Sequence, residues 1–136
     1  MLNSQKNKIY DLEERTAKFG EDVIDFAKKI PQNVIIIPLI GQLVKAGTSV
    51  GSNYCEADCA ESRKDFEHKI GICKKEAKES KHWLRLLAKA APQLKEEAKK
   101  LWKEANELQL IFIAIVKKSR SNKIESELKN NLLIKN

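Results

Sequence analysis

Hydrophobic residues recur along this chain in alternating steps of three and four positions, the spacing that places side chains on one face of an α-helix. Four segments carry such a stripe, at about residues 11–30, 38–60, 62–91 and 92–121. Because short connections join these segments, consecutive helices must run in opposite directions. The pattern therefore predicts an all-α fold, an antiparallel up-down four-helix bundle.

Residues typical of helix ends separate the four segments. Asp11 stands where its side chain can cap the first helix, and Pro31 stops that helix. Ser62, followed three positions later by Asp65, resembles a capping box at the start of the third helix. Pro92 ends the third stripe and suits the first turn of the fourth helix. These positions set the expected helix boundaries.

The chain divides into a central bundle and two flanking segments. We expect residues 1–10 to form an N-terminal arm and residues 11–121 to form the bundle. Residues 122–136 turn polar and predict a C-terminal tail or a frayed helix. The apolar run from Val34 to Ile37 could form a strand, but no second strand exists to pair with it. A packed connection between the first two helices is the favoured interpretation.

Glycines interrupt the second helix segment. Gly47 and Gly51 lie one turn apart, and each lowers helix stability by about 1 kcal/mol relative to alanine. A neighbouring backbone that approaches closely would explain why they are tolerated. We therefore predict close helix packing around a group of five residues: Gly47, Thr48, Gly51, Asn53 and Tyr54.

Composition and charge narrow the class of protein. The 136 residues include 26 Lys and Arg against 19 Asp and Glu, a net charge of +7 that attracts polyanions. Residues 1–8 lack the apolar core of a signal peptide, so we expect a cytoplasmic protein. The longest apolar runs are too short to span a bilayer, so no membrane partner is expected. The three cysteines lie at helical spacings and predict packing thiols rather than disulfides.

The outward positions of the third helix segment carry a stripe of basic residues. An ordinary solvated face mixes both signs of charge, so a one-signed stripe favours phosphate binding over simple solvation. Basic residues also recur at the start and end of the fourth segment. The predicted nucleic-acid-binding residues are Lys64, Lys75, Lys78, Arg85, Lys89, Lys117, Lys118 and Arg120.

The middle of the fourth segment is apolar nearly all round. Leu110 and Ile113 fall on the outward side of the stripe, and Ile111 and Val116 adjoin them. Apolar surface of this kind usually marks association, so we predict a subunit interface in a homo-oligomer. The alternative is that the C-terminal tail covers these four residues.

Motifs for catalysis or metal binding are weak. Glu79 and His82 have the spacing used in di-iron bundles, but the histidine falls on the outward stripe and no inward second copy accompanies it. Cys55 and Cys59 share a helix face without a histidine clearly near enough to complete a zinc site. Trp83 and Trp102 have helical spacings that favour core edges or an interface over base stacking. We therefore expect no enzyme activity, no cofactor and no metal.

Three runs carry a family resemblance: Tyr10 to Thr16, Gln42 to Ala57 and Lys74 to Leu84. The stretch from Gly47 to Tyr54 is the most distinctive. These runs resemble the bacterial four-helix-bundle family of 23S rRNA intervening-sequence proteins, over about residues 9–121. The resemblance implies a homopentameric ring of antiparallel bundles, with no known catalysis.

That family is also similar to accessory proteins of diversity-generating retroelements, and this similarity implies basic pentamers that bind nucleic acid and a reverse transcriptase. Together with the basic stripe, the resemblance favours a non-enzymatic oligomeric scaffold that binds RNA or DNA backbones. The alternative is a protein-interaction module that binds an acidic partner, such as a reverse transcriptase, without contacting nucleic acid.

Overall fold

Four α-helices follow one another in the part of the chain that the computed structural model describes, residues 11–135, with side chains through residue 133. They are α1 (Leu12–Lys29), α2 (Ile36–Asp58), α3 (Arg63–Ala90) and α4 (Lys95–Lys135), with a 3₁₀ turn at Pro92–Leu94. These described residues contain no strand. The predicted all-α class is confirmed, while the predicted N-terminal arm, residues 1–10, lies outside the described residues.

The side-chain caps predicted from the sequence begin α1 and α3. The Asp11 carboxylate accepts a hydrogen bond from the backbone N–H of Glu14 at 3.1 Å. The Ser62 hydroxyl accepts one from the N–H of Asp65 at 3.1 Å. Each bond satisfies an N–H group that the first helical turn leaves unpaired. The capping roles predicted for Asp11 and Ser62 are confirmed.

The helices pack in antiparallel pairs. Arg15, near the start of α1, bonds to Glu104 of α4, whereas Lys29, at the end of α1, bonds to the earlier residue Glu97. The same reversal appears in Glu56–Lys69 and Val50–Cys73 between α2 and α3, and in Glu67–Ser119 and Lys81–Asn106 between α3 and α4. The described chain is therefore an antiparallel four-helix bundle.

The inward stripes of all four helices form one hydrophobic core. Its largest fully buried members include Phe19, Leu43, Ile70, Leu84 and Phe112. Burying each such side chain contributes about 1.5–3 kcal/mol relative to leaving it exposed. The two buried hydroxyl residues, Thr16 and Ser80, donate to backbone carbonyls of their own helices, so the core accommodates them without an unpaired polar atom.

The glycines of α2 lie against α1. A methyl group added at Gly47 would lie 2.9 and 3.0 Å from the two γ-carbons of Val23. One added at Gly51 would lie 3.4 Å from the backbone oxygen of Thr16. The absence of a side chain at Gly47 therefore lets the valine fill the space between the two helices.

The connection between α1 and α2 differs from the prediction. Val34, Ile35 and Ile37 are 90%, 74% and 53% exposed, so the interpretation of this run as a packed connection is wrong for these three residues. Ile36 is buried and begins α2. The Asn33 side chain accepts hydrogen bonds from the N–H groups of Ile35 and Ile36, both at 2.9 Å, and so caps the helix start. Pro38 is the third residue of α2 and lies in its first turn, where proline is tolerated.

Helix α4 is much longer than its partners. It runs for 41 residues without a break, through the segment where the sequence predicted a tail or a frayed helix. Residues 121–133 are all exposed. Glu67, in the second turn of α3, already lies opposite Ser119, so this part of α4 continues beyond the start of α3. The inward positions after Ile115 are also polar, at Ser119, Asn122 and Ser126. We call residues 121–135 the α4 extension. Neither α4 nor another helix of the described chain combines the length and apolar character needed to cross a membrane.

Candidate nucleic-acid interface

One side of α3 presents basic side chains to solvent along nearly its whole length. The opposite side is the buried stripe, so positions half a turn away are forced outward. Five exposed cations occupy those positions: Lys64, Lys75, Lys78, Arg85 and Lys89. Between the first and last of them the helix rises by about 38 Å. We call these five residues the α3 basic face.

No member of the α3 basic face forms an ion pair with a residue in the described chain. Cations elsewhere behave differently. Arg15 contacts Glu104 at 2.7 Å and Glu107 at 2.6 Å, and its hydrogen bonds to Glu104 raise its pKa. Lys69, at the edge of α3, contacts Glu56 of α2 at 2.8 Å. Ion pairs thus join the helices to one another, while the outer charge of α3 is left uncompensated by these residues.

Three carboxylates flank the α3 basic face. Glu67 is turned toward α4, where its carboxylate accepts a hydrogen bond from the Ser119 hydroxyl at 2.8 Å. Glu79 is exposed and follows Lys78 in the chain. Asp65 is exposed in the first turn of α3. A heptad count places all three acids on positions next to the outward stripe rather than within it. The centre line of the α3 basic face therefore carries no carboxylate.

The cations predicted on α4 lie at one end of this surface. Lys117, Lys118 and Arg120 are all exposed. The hydrogen bond from Ser119 to Glu67 places this part of α4 beside the first turns of α3. These three cations therefore lie toward the Lys64 end of the α3 basic face.

A groove lies between α3 and α4 at the opposite end, beside the 3₁₀ turn. Its volume is about 650 Å³. Its apolar lining consists of Leu84, Ala88, Pro92, Ala98 and Trp102. Its charged lining consists of Arg85, Lys89, Lys95 and Lys99, and no carboxylate lines it. We call this feature the Trp102 groove.

The sequence pattern of each helix alone did not group Lys95 or Trp102 with Arg85 and Lys89. The groove arises because α3 and α4 form an antiparallel hairpin about Pro92, so residues at similar distances from the turn lie opposite each other. A comparison of positions on either side of Pro92 could have found the pairing.

The Trp102 ring is in contact with Lys81 of α3. The Lys81 ammonium lies 4.8 Å from the centroid of the Trp102 ring, a distance typical of a cation–π interaction. That ammonium also donates a hydrogen bond to the Asn106 side chain at 2.9 Å. The indole remains 38% exposed. Lys81 therefore constrains the ring while leaving part of it open to solvent.

The four residues predicted for a subunit interface fall into two environments. Ile111 and Val116 are half-buried and pack against the core of their own bundle. Ile113 is also half-buried, whereas Leu110 is 57% exposed. Leu110 is therefore the most accessible apolar residue of this group.

The outer apolar face of α4 continues into the extension. Leu128 lies 18 residues after Leu110, which is five helical turns, and it is also 57% exposed. Ile124 and Leu132 lie one turn before and one turn after Leu128, and both are exposed. Leu110 and these three residues therefore share one side of α4.

The residues considered for metal binding or catalysis are dispersed. His68 and His82 are exposed on the outer side of α3, and within residues 11–135 no three His, Cys, Asp or Glu side chains are grouped so as to hold a metal ion. Cys55 and Cys59 are exposed, whereas Cys73 is buried. Burial raises the pKa of the Cys73 thiol to about 12, so it stays protonated near neutral pH.

Comparison with known proteins establishes the family. The family model described as 23S rRNA-intervening sequence protein matches residues 8–114, well over half of the chain. The chain belongs to this family. As a 23S rRNA-intervening sequence protein, it carries the α3 basic face, the Trp102 groove and Leu110 within the matched region. Lys117, Lys118, Arg120 and the α4 extension lie beyond it.

A solved structure supports the same assignment. A crystal structure of a protein of unknown function from the S23 ribosomal protein family of Bacteroides thetaiotaomicron is similar, with a TM-score of 0.69 and 28% sequence identity. The similarity covers 77% of this chain and 97% of that one. None of the curated proteins compared matches this chain. The family resemblance read from the sequence is confirmed.

Proposed function

We propose that this 23S rRNA-intervening sequence protein is a non-enzymatic, cytoplasmic scaffold that binds RNA or DNA backbones without a metal or cofactor. The observation that carries the proposal is the α3 basic face, five exposed cations without an ionic partner in the described chain. Lys117, Lys118 and Arg120 would extend the contact along α4.

The dimensions of the basic face suit a nucleic-acid backbone. Its length of about 38 Å is close to one helical turn of a duplex. Lysine and arginine contacts to phosphates release condensed counterions, so the logarithm of affinity falls with the logarithm of salt concentration. Five phosphate contacts on DNA would give a slope of about −4.5. Because cations that contact phosphates do not read base edges, we expect binding with little sequence preference.

Assembly would multiply this surface. We propose that the outer side of α4 at Leu110 and Ile113, bordered by Ile111 and Val116, forms the contact between subunits of a homopentameric ring. The exposed Leu110 side chain supports an apolar contact, and the family resemblance supports five subunits. Several basic faces in one particle would raise the overall affinity for a long polyanion without any new contact.

Charge reversal on α3 tests nucleic-acid binding. Lys75→Glu/Lys78→Glu removes two central cations, and Lys28→Glu/Lys45→Glu is the matched control, with the same charge change at exposed positions of α1 and α2. Fluorescence anisotropy with labelled RNA and DNA, repeated over a salt series, measures affinity and slope. We expect the α3 variant to bind at least tenfold more weakly with a slope shallower by about 2, and the control to lose much less.

Equal losses in the two variants would reduce the effect to net charge and contradict a site on α3. The absence of nucleic-acid binding in the wild type would favour the alternative, a protein-interaction module whose cations meet an acidic partner such as a reverse transcriptase. In that case high salt should dissociate the acidic partner, and the Lys75→Glu/Lys78→Glu variant should bind that partner more weakly than the wild type does.

Sedimentation velocity tests the assembly. Leu110→Lys places a charge in the proposed contact. The control, Ile24→Lys, places the same charge outside the contact, at an apolar residue of α1 that is 40% exposed. We expect a single oligomer for the wild type and the control, and smaller species for Leu110→Lys. A monomeric wild type would refute the proposed interface.

A further inference from the structure

We propose that the Trp102 groove binds an unpaired nucleotide, so that the protein prefers single-stranded nucleic acid to a duplex. The base would lie against Trp102, and the flanking phosphates would contact Arg85, Lys89, Lys95 and Lys99. This inference rests on the proposed nucleic-acid binding. It assigns that binding a strand preference and a stacking site at the Lys89 end of the α3 basic face.

The charged lining of the groove selects an anion. Arg85 and Lys89 lie one turn apart on α3, and Lys95 and Lys99 lie one turn apart on α4, so cations face the groove from both helices. None of the four forms an ion pair with a residue of the described chain. Because no carboxylate lines the groove, an anionic group can contact either rim without repulsion.

The remaining lining selects a flat apolar group. Ala88, Pro92 and the indole ring of Trp102 present mainly apolar surface, and the almost fully buried side chains of Leu84 and Ala98 lie beneath them. Base–aromatic stacking tolerates every base, because each base has a π-face. The volume of about 650 Å³ lies within the range of pockets that hold small ligands, so one nucleoside fits. A ligand that is both anionic and flat matches a nucleotide.

The contact geometry of Trp102 favours binding without rearrangement. Lys81 restricts the motion of the indole through the 4.8 Å cation–π contact, and the hydrogen bond to Asn106 holds Lys81 in place. Ordering the ring on binding therefore costs less entropy than ordering a free side chain. In a duplex the bases are already stacked on each other and cannot reach the ring, which gives the predicted preference for single strands.

Oligonucleotides of matched length test the inference. The probes are fluorescein-labelled single-stranded RNA and DNA 12-mers and duplexes of the same sequence, measured by anisotropy in one buffer. Trp102→Ala should weaken single-strand binding by roughly 5- to 150-fold, the range for loss of one base–aromatic stack, and leave duplex binding within twofold. Trp102→Phe keeps an aromatic ring and should retain most of the single-strand affinity. Circular dichroism verifies that each variant is folded.

A spectroscopic readout reports the stack directly. Trp83 and Trp102 are the two tryptophans of the chain, so Trp83→Phe leaves Trp102 as the single indole. Single-stranded oligonucleotide should quench its fluorescence in proportion to binding, and duplex should not.

The outcomes separate this inference from the proposed function. If Lys75→Glu/Lys78→Glu weakens binding while Trp102→Ala weakens single strands and duplexes alike, or neither, the α3 site stands and the stacking groove is refuted. If the wild type binds no nucleic acid, both are refuted. A synthetic peptide of aspartate and phenylalanine that binds in a Trp102-dependent manner, with no nucleic-acid binding, would assign the groove to a protein and overturn the inference.

Discussion

Replacing Gly47 with alanine should destabilise the bundle, although alanine is the better helix former. The new methyl group would lie 2.9 Å and 3.0 Å from the γ-carbons of Val23 and 3.2 Å from its β-carbon. Because all three carbons are close, rotating the valine side chain exchanges one contact for another. Either α1 and α2 must move apart or the valine must leave its preferred rotamer.

Two opposing effects set the magnitude. The alanine gains up to about 1 kcal/mol of helix propensity. Overpacking a well-filled core costs about 1–3 kcal/mol. Gly41→Ala isolates the first effect, because Gly41 is an exposed residue of α2 with nothing within 4 Å of an added methyl group. Gly41→Ala should therefore stabilise the protein by about 1 kcal/mol, and Gly47→Ala should be about 1–3 kcal/mol less stable than Gly41→Ala.

Urea denaturation followed by circular dichroism measures both variants, at one protomer concentration because association shifts apparent stability. Val23→Ala provides the second arm of a double-mutant cycle. In that background the γ-carbons are gone and only the β-carbon contact at 3.2 Å remains, so Gly47→Ala should destabilise the protein less than it does in the wild type. A Gly47→Ala variant that matches Gly41→Ala in stability would refute the close contact.

Three other predictions concern the cysteines and a helix cap. Burial raises the pKa of Cys73 from 9.0 to about 12, so above pH 9 the unfolded chain loses a proton that the folded chain keeps. Stability should then fall between pH 9 and pH 12 by up to about 1.4 kcal/mol per pH unit, a contribution that Cys73→Ala should lack in parallel urea titrations. Ellman's reagent should modify Cys55 and Cys59 rapidly in the native protein, and rapid reaction of all three thiols would contradict the burial of Cys73. Ser62→Ala should lower the free energy of unfolding by about 1 kcal/mol, whereas Ser52→Ala, at an exposed site without a capping role, should change it much less.

The helix boundaries could be predicted where local chemistry determines them. Asp11 and Ser62 bond within their own first turns, and Pro92 restricts its own backbone. Asn33 caps α2 by the same mechanism. The apolar run after Asn33 was interpreted as a connection, so the predicted start of this helix is two residues too late. Hydrophobicity did not reveal the exposure of Val34 and Ile35, because burial depends on which neighbours the turn brings near.

Features that join two helices were harder to predict. The α3 basic face follows from one helix and its period, so its residues could be named from the sequence. The Trp102 groove needs the register between α3 and α4, and neither helix alone contains that information. The half-burial of Ile111 and Val116 likewise depends on how far around α4 its neighbours reach. Helical periodicity gives the side of a helix, and packing determines how much of that side is covered.

The α4 extension grows from a helix that the bundle has already formed. Starting a helix is unfavourable, and a detached peptide of about 15 residues is only marginally helical in water. Within α4, however, each residue of the extension adds to an existing turn. Amide hydrogen exchange should therefore become progressively faster from residue 121 toward residue 135, as the helix end opens by fraying. A molecule that bound to Ile124 and Leu128 would contact a helix that is already formed. Its binding would then protect the amides of the α4 extension uniformly from exchange and remove that gradient.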